Sequence, residues 1–210
     1  MLVSVFLDRS DRAVGLSLAC AVIPFQLLMM TVINGLDAVQ TRGSIIANMG
    51  FPRKLSPVSG ALTELVGFVA MLSIFVLMMV IYAVEPTGAL VFLPLVLLTN
   101  FALACAADYP ASLLGLSFRE FRAFAVSFMR TMFFVAPGLV AFSELTGTAK
   151  EIVRINPISG VIEAYRDVFL YGNAPELWEL AIPLGWAALL ALIFVPIYGR
   201  EQRDFAKVVT

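Results

Sequence analysis

Histidine is absent from this chain of 210 residues. Its absence excludes imidazole acid–base catalysis, Ser–His triads and His-ligated metal sites. Cysteine is scarce as well: Cys20 and Cys105 lie far apart in apolar stretches, and we interpret both as small buried hydrophobic residues rather than a disulfide framework or metal cluster. Charged residues make up only 14%, against about 25% in soluble domains. The net charge of −1 disfavours a nucleic-acid partner.

Hydrophobic residues are abundant instead, at 60% of the chain with a mean hydropathy of +0.94. A membrane-spanning helix needs about 20 mostly apolar residues. Five stretches qualify, namely 13–33, 62–84, 89–113, 122–143 and 177–198. The sequence therefore predicts an all-α, polytopic membrane bundle in a single domain (1–210), with about five spans and a short external helix pair that is amphipathic or re-entrant.

The basic residues indicate how the predicted spans are oriented. One alternating set of loops carries eight Lys and Arg and four acidic residues, whereas the other carries five basic and nine acidic residues. Because basic loops stay inside, we predict an inner-membrane protein with a cytoplasmic carboxyl terminus.

The predicted cytoplasmic loop 34–60 carries apolar residues at helical spacing, followed by Gly50, Pro52 and the basic pair Arg53 and Lys54. One interpretation is a basic helix that lies on anionic lipid headgroups. The other is a short docking helix that inserts into a groove on a cytoplasmic partner. The pattern alone favours the first.

The predicted external segment 144–176 contains a capped helix. Asn156 and Pro157 are typical of a helix start, and Gly172 of a helix stop. At 15 residues, about 22 Å, the helix is too short to cross a bilayer, so it lies in the outer interface or enters the membrane as a re-entrant element. The preceding residues, 144–155, are its expected partner.

Three charged residues, Glu163, Arg166 and Asp167, share the polar face of this helix. Paired carboxylates can perform glycoside hydrolysis. With an arginine alongside, however, the spacing more simply predicts a solvated, charge-balanced face. Because no nucleophile elbow or metal triad accompanies the pair, we predict that the chain is not an enzyme.

Two other groups of side chains lie in or near the spans. Phe121, Phe124 and Phe128 fall at helical steps, which fits an interfacial aromatic belt or a conduit whose rings stack on sugars. Asp108 and Arg130 lie at similar heights in neighbouring spans. Because isolated charges are costly in lipid, we predict that these two form an ion pair.

The order of these motifs resembles the membrane (permease) subunit of type-2 ATP-binding-cassette exporters, in the polysaccharide and polyol-phosphate export branch. The residues that carry the resemblance, from about Ile23 onward, are Asn48, Phe51-Pro52-Arg53-Lys54, Pro57, Phe118-Arg119-Glu120 and Asn156 to Asp167 with Gly172.

The resemblance implies a homodimeric or pseudo-dimeric permease with six spans per subunit, worked by a separate ATPase that binds the ATP and Mg²⁺. No phosphate-binding loop motif is seen in this chain, and no cofactor is expected on it. It implies an ATPase-coupling loop formed by Ile45, Asn48, Phe51, Pro52, Arg53 and Lys54. It also implies an external gate helix that includes Asn156, Pro157, Glu163, Arg166, Asp167 and Gly172.

Members of that family usually begin with a cytoplasmic amphipathic helix and one further span, which this sequence is expected to lack. The predicted function is ATP-driven export of a polysaccharide, lipid-linked glycan or polyol phosphate across the bacterial inner membrane. The alternatives are a permease of the same fold for a drug or lipid, and a truncated remnant that does not transport.

Overall fold

A computed structural model describes residues 14–48, 56–117, 121–136, 138, 142 and 145–201, with the backbone alone for 14, 38–48, 116, 117, 149 and 201. Within these ranges the chain is helical and contains no β-strand. The helices are α1 Val14–Asn48, α2 Ser56–Ile81, α3 Leu93–Ser117, α4 Phe121–Val135, α5 Gly147–Ile155, α6 Pro157–Arg166 and α7 Leu177–Glu201. A 3-10 turn, Gly88–Phe92, precedes α3, and a π-helical turn, Asp167–Tyr171, follows α6.

Four helices in the described part of the chain are long and apolar enough to cross a membrane, which confirms the all-α polytopic bundle. The apolar segments are Gly15–Asp37, Ser56–Ile81, Gly88–Gly115 and Leu177–Arg200. They match four of the five predicted spans with shifted ends. The largest shift is in α1, which continues as helix from the end of its apolar segment to Asn48.

The described part of the predicted span 122–143 is α-helical as far as Val135. Helix α4 comprises 15 residues and ends at Val135, so it is about 22 Å long where a bilayer core measures about 30 Å. The sequence gives the reason, because Pro137 disfavours helical geometry in the residue before it and Gly138 follows. Residues 137, 139–141, 143 and 144 lie outside the described ranges, so a fifth span over 122–143 stays a prediction.

Helix α1 lies at the centre of the bundle and packs against α2, α3, α4 and α6, while α7 packs against α3 and α6. Glycines allow α1 and α3 to approach closely. A Cβ atom at Gly115 of α3 would overlap the Leu36 backbone of α1, and one at Gly35 of α1 would overlap the Asp108 carboxylate of α3. Small residues thus set the distance between the two central helices, as is common in membrane bundles.

The bundle has two ends, which we name by their residues. The hairpin end carries the α2–α3 connection, where the Thr87 hydroxyl donates to the Gly172 carbonyl at 3.3 Å. The base is the opposite end, where α2 and α4 begin at Ser56 and Phe121. The predicted orientation places the hairpin end outside the cell and the base in the cytoplasm.

The close approach at Gly115 leads to a stability prediction. We expect Gly115→Ala to lower the free energy of unfolding by about 1–3 kcal/mol, because the new methyl group meets main-chain atoms that cannot move aside. Thermal unfolding of the detergent-solubilised protein measures the effect. Gly185→Ala is the matched control, since no atom lies within 4 Å of a Cβ built there. Equal melting temperatures for the two variants would contradict the packing described above.

Candidate functional site

Helices α5 and α6 form a helical hairpin, and its second helix begins and ends where the sequence predicts. The Asn156 side-chain oxygen accepts a hydrogen bond from the Ile158 amide at 3.0 Å, with Pro157 in the first turn. The π-helical turn ends at Gly172, whose φ of 68° is left-handed. The predicted N-cap and C-terminal glycine are therefore confirmed, and 147–155 is helical as expected of a partner.

Helix α6 is enclosed by the long helices: each residue from Ile158 to Arg166 is buried. The Tyr165 ring stacks on Phe75 of α2 with centroids 5.9 Å apart, and Phe68 meets it edge-on at 6.1 Å. Phe68 lies 13 residues before the end of α2, which places it about 20 Å along the helix from the hairpin end. The hairpin is therefore re-entrant and does not lie flat on the surface.

The tip of the hairpin is held between α4 and α7. The Asn156 amide nitrogen donates to the Met132 carbonyl of α4 at 3.3 Å, and the Trp186 indole of α7 donates to the Ile155 carbonyl at 3.1 Å. Farther along, a Cβ at Gly160 would lie 2.8 Å from the Glu179 carbonyl, so α6 and α7 are in close contact there.

Glu163 and Arg166 form a buried ion pair, with the Arg166 Nη1 atom 2.5 Å from the Glu163 Oε1 atom. Glu163 is 5% exposed and Arg166 is 1% exposed. The prediction of a solvated face was wrong for these two residues. Spacing along a helix shows which residues share a face, but it does not show which other part of the chain covers that face.

The residues that cover this face lie between α4 and α5. Arg166 Nη2 donates to the Gly138 carbonyl at 3.3 Å, and the Phe142 amide donates to Glu163 Oε1 at 3.2 Å. Burial raises the pKa of the Glu163 carboxyl, while the Arg166 guanidinium and the Phe142 amide act in the opposite direction. The pair thus fastens the α4–α5 connection to the buried helix.

A second acidic group lies where the π-helical turn meets the start of α7. Burial raises the pKa of Asp167 to about 6, assisted by the negative charges of Glu163 and Glu176 and opposed by a hydrogen bond with Glu179. Glu179 also accepts from the Glu176 amide at 3.1 Å, which caps α7. Among the residues that the structure describes, no group of three Cys or acidic side chains is placed to hold a metal ion.

Two cations of α5 lie over an aromatic pair formed by Phe142 and Trp178 of α7, a contact that the sequence reasoning missed. The Phe142 and Trp178 rings have centroids 4.7 Å apart; Lys150 lies over the first ring at 4.9 Å and Arg154 over the second at 5.5 Å. Such cation–π contacts stabilise by about 0.5–1 kcal/mol each at exposed sites. The available signal was the i, i+4 spacing of Lys150 and Arg154 on one face of α5.

The predicted conduit aromatics lie along α4. Phe124 and Phe128 are exposed, at 60% and 50%, with centroids 6.3 Å apart, and Phe121 is half-buried beside Phe124. Their exposure leaves open the two interpretations made from the sequence. A role in lining a conduit stays a prediction.

Asp108 and Arg130 occupy different environments. Asp108 is buried in α3, where the Ser112 hydroxyl donates to it at 3.4 Å, whereas Arg130 is exposed on α4. Within the described ranges no ion pair joins them. An ion pair at the base instead joins Arg122 of α4 to Asp37 of α1 at 3.2 Å.

The predicted ATPase-coupling loop lies mostly outside the described residues. Ile45 and Asn48 belong to the last turns of α1, of which the backbone alone is described. Phe51, Pro52, Arg53 and Lys54 fall outside the described ranges. Their role stays a prediction.

Sequence comparison finds relatives that align with most of the chain. It is 21% identical over 178 residues to the O-antigen export system permease protein RfbA of Myxococcus xanthus, covering 84% of the chain and 68% of that protein. Two RfbA permeases of Klebsiella pneumoniae are each 23% identical, covering 89% and 92% of the chain and 72% and 75% of those proteins. No protein-family model matches the chain. The similarity to polysaccharide-export permeases that the motifs suggested is thereby confirmed.

The buried ion pair leads to a second prediction. We expect Glu163→Gln to destabilise the protein by about 3–5 kcal/mol, because it leaves the Arg166 charge buried without its counter-ion. The double variant Glu163→Leu with Arg166→Met removes both charges and should recover part of that loss. Thermal unfolding in detergent compares the variants, with Glu151→Gln on exposed α5 as the control. If the double variant is less stable than Glu163→Gln, the two side chains do not act as a pair.

The Asp167 carboxyl leads to a third prediction, on pH. Its pKa of about 6 exceeds its ordinary value of 3.8, so between these values the folded state binds more protons than the unfolded state. The free energy of unfolding contributed by this group therefore falls as pH rises from about 4 to 6. Asp167→Asn should raise the melting temperature at about pH 7.5 but leave it nearly unchanged at about pH 4. A gain of the same size at both pH values would contradict this.

Proposed function

We propose that this chain is the permease subunit of an ATP-driven exporter that moves a polysaccharide or lipid-linked glycan across the bacterial inner membrane. The observation that carries the proposal is its similarity, over 84–92% of its length, to three O-antigen export permeases. Four long apolar helices and a re-entrant hairpin are the parts that such a subunit would need. The carboxyl terminus would lie in the cytoplasm, and ATP and Mg²⁺ would be bound by a separate ATPase.

The hairpin would be the external gate, and its packing supports that role. It is held by the Glu163–Arg166 pair and the Tyr165 stack, yet the Ser159 hydroxyl is buried without a hydrogen-bond partner in the described part of the chain. An unsatisfied buried polar group costs about 1–3 kcal/mol. Movement of the hairpin toward a wet conduit would hydrate this hydroxyl and so offset part of the packing that is lost.

Helix α1 would connect this gate to the ATPase. Near its start, the Cys20 thiol contacts the Tyr165 carbonyl of α6 at 3.7 Å, and the same helix continues past the span to Asn48, beside the predicted coupling loop. A helix transmits displacement along its axis because its hydrogen bonds keep its length fixed. A push on the loop at the base would therefore reach the hairpin through α1. A second copy of the chain would complete the conduit.

Gene deletion in the source cell tests the proposal. Loss of the chain should abolish surface polysaccharide while polymer of the same composition accumulates inside, and wild-type chain should restore display. Restoration should fail when the partner ATPase carries a substituted phosphate-loop lysine. Normal surface polysaccharide in the deletion strain would refute the cargo assignment and leave the drug, lipid and remnant alternatives.

The coupling loop provides the fourth prediction. Arg53→Glu with Lys54→Glu should reduce co-purification of the ATPase several-fold, because the loop would lose its positive charge at the contact. The control is Glu85→Lys with Glu151→Lys, a double charge reversal at the hairpin end. Equal recovery of the ATPase with both double variants would favour the alternative of a lipid-bound interfacial loop.

A further inference from the structure

Central helix α1 leaves one stripe uncovered along its length. Val22 is 45% exposed, Met30 is 37% exposed, Gln26 is half-buried and Asn34 is exposed, each four residues from the next. Residues at this spacing lie on one face of a helix. The stripe is therefore a continuous strip of α1 surface that the described residues do not cover.

Helices α2 and α4 border this stripe. Phe25, next to Gln26, packs its ring on Phe133 of α4 with centroids 4.8 Å apart, and Asn34 Nδ2 donates to Glu64 Oε1 of α2 at 2.5 Å. Both helices pack on α1, but in the described part of the chain they make at most marginal contact with each other. The result is a groove with α1 as its floor and α2 and α4 as its walls, which we call the α1 groove.

Polar groups lie deep within the α1 groove. Gln26 is the midpoint of the apolar segment Gly15–Asp37. Glu64 lies eight residues into α2, about 12 Å above the base. An amide without a partner in hydrocarbon, as Gln26 would be, costs several kcal/mol, and an ionised carboxylate within the hydrocarbon region is also costly. Lipid chains are therefore a poor filling for this groove.

The outward faces of α2 and α7 provide the contrast. Their most exposed large side chains at the same depths are aliphatic, as at Val66, Val76, Leu189 and Leu192. These faces suit lipid, whereas the groove does not. The exposed surface of the bundle is therefore of two kinds: aliphatic on the outward faces of α2 and α7, and mixed with amide and carboxylate groups in the α1 groove.

We infer that the α1 groove is a water-accessible track in which Gln26, Asn34 and Glu64 bind the hydroxyl groups of a saccharide chain as it passes. The inference rests on the proposed function and adds the contact surface. Amides donate and accept hydrogen bonds, and a carboxylate accepts them, which matches the donors and acceptors of sugar hydroxyls.

The charges of the bordering helices narrow the cargo further. Arg130 lies nine residues into α4, about 14 Å above the base, at nearly the height of Glu64 on α2. Because Arg130 and Glu64 carry opposite charges at one height, they create no potential of a single sign there. A polyanion would be favoured by a track of positive charge, which this pair does not provide. The groove therefore fits a neutral, hydroxyl-rich chain better than a polyol phosphate.

Cysteine labelling tests whether the groove is wet. In the assembled transporter with Cys20→Ala and Cys105→Ala, we compare Gln26→Cys and Met30→Cys with Leu189→Cys, using a charged, water-soluble methanethiosulfonate reagent. Gln26 lies 11 residues from Gly15 and Leu189 lies 12 residues from Leu177, so depth is matched. Because the thiolate is the reacting form and needs water, the groove cysteines should react about tenfold faster or more. Equal rates would mean that lipid or another helix fills the groove, and would overturn the inference.

Export measurements test whether the groove contacts the cargo. Gln26→Leu should reduce the amount of surface polysaccharide several-fold, while co-purification of the ATPase stays unchanged. Met30→Leu, on the same stripe, should leave the amount of surface polysaccharide at the parent level. Full export by Gln26→Leu would refute the inference that the α1 groove binds the saccharide chain, and it would leave the permease assignment intact. Failure of the proposed cargo has a separate sign, namely normal surface polysaccharide in the deletion strain.

Discussion

The ion pair between Glu163 and Arg166 is the interaction on which the re-entrant hairpin depends. A lone charge at this position would be expelled toward water, whereas a paired charge with further hydrogen bonds can stay buried. The Gly138 carbonyl and the Phe142 amide supply those bonds. The pair therefore does two things at once: it permits a polar helix to lie among apolar ones, and it holds the preceding connection in place over that helix.

The bundle separates its polar groups by depth and by face. The hairpin buries Glu163 and Arg166 against protein, and the α1 groove holds two amides of α1 and a carboxylate of α2, while the outer faces of α2 and α7 expose chiefly aliphatic side chains at mid-depth. The surrounding lipid imposes this separation, because hydrocarbon chains offer no hydrogen bonds to polar groups. It also explains how a chain with only 14% charged residues can still present a polar path.

Much of the architecture could be predicted from the sequence, because local chemistry decides it. Four spans follow from hydropathy, and the start of α6 follows from Asn156 and Pro157, which act within one helical turn. The end of α4 at Val135 was not predicted, because packed membrane helices tolerate prolines and Pro137 was therefore not taken as the end of a helix. The burial of Glu163 and Arg166 was missed because it depends on a segment more than 20 residues away in sequence, which no spacing along a helix reveals.

The shortness of α4 has a mechanical consequence. Helix α4 rises from the base and stops, and the hairpin descends from the other end to meet it, where Asn156 bonds the Met132 carbonyl. Two short pieces thus take the place of one full-length wall, with a seam between them at the Asn156–Met132 contact. If the hairpin is the gate proposed above, sliding the two pieces apart would open a hole along that seam, and no long helix would need to break or unwind.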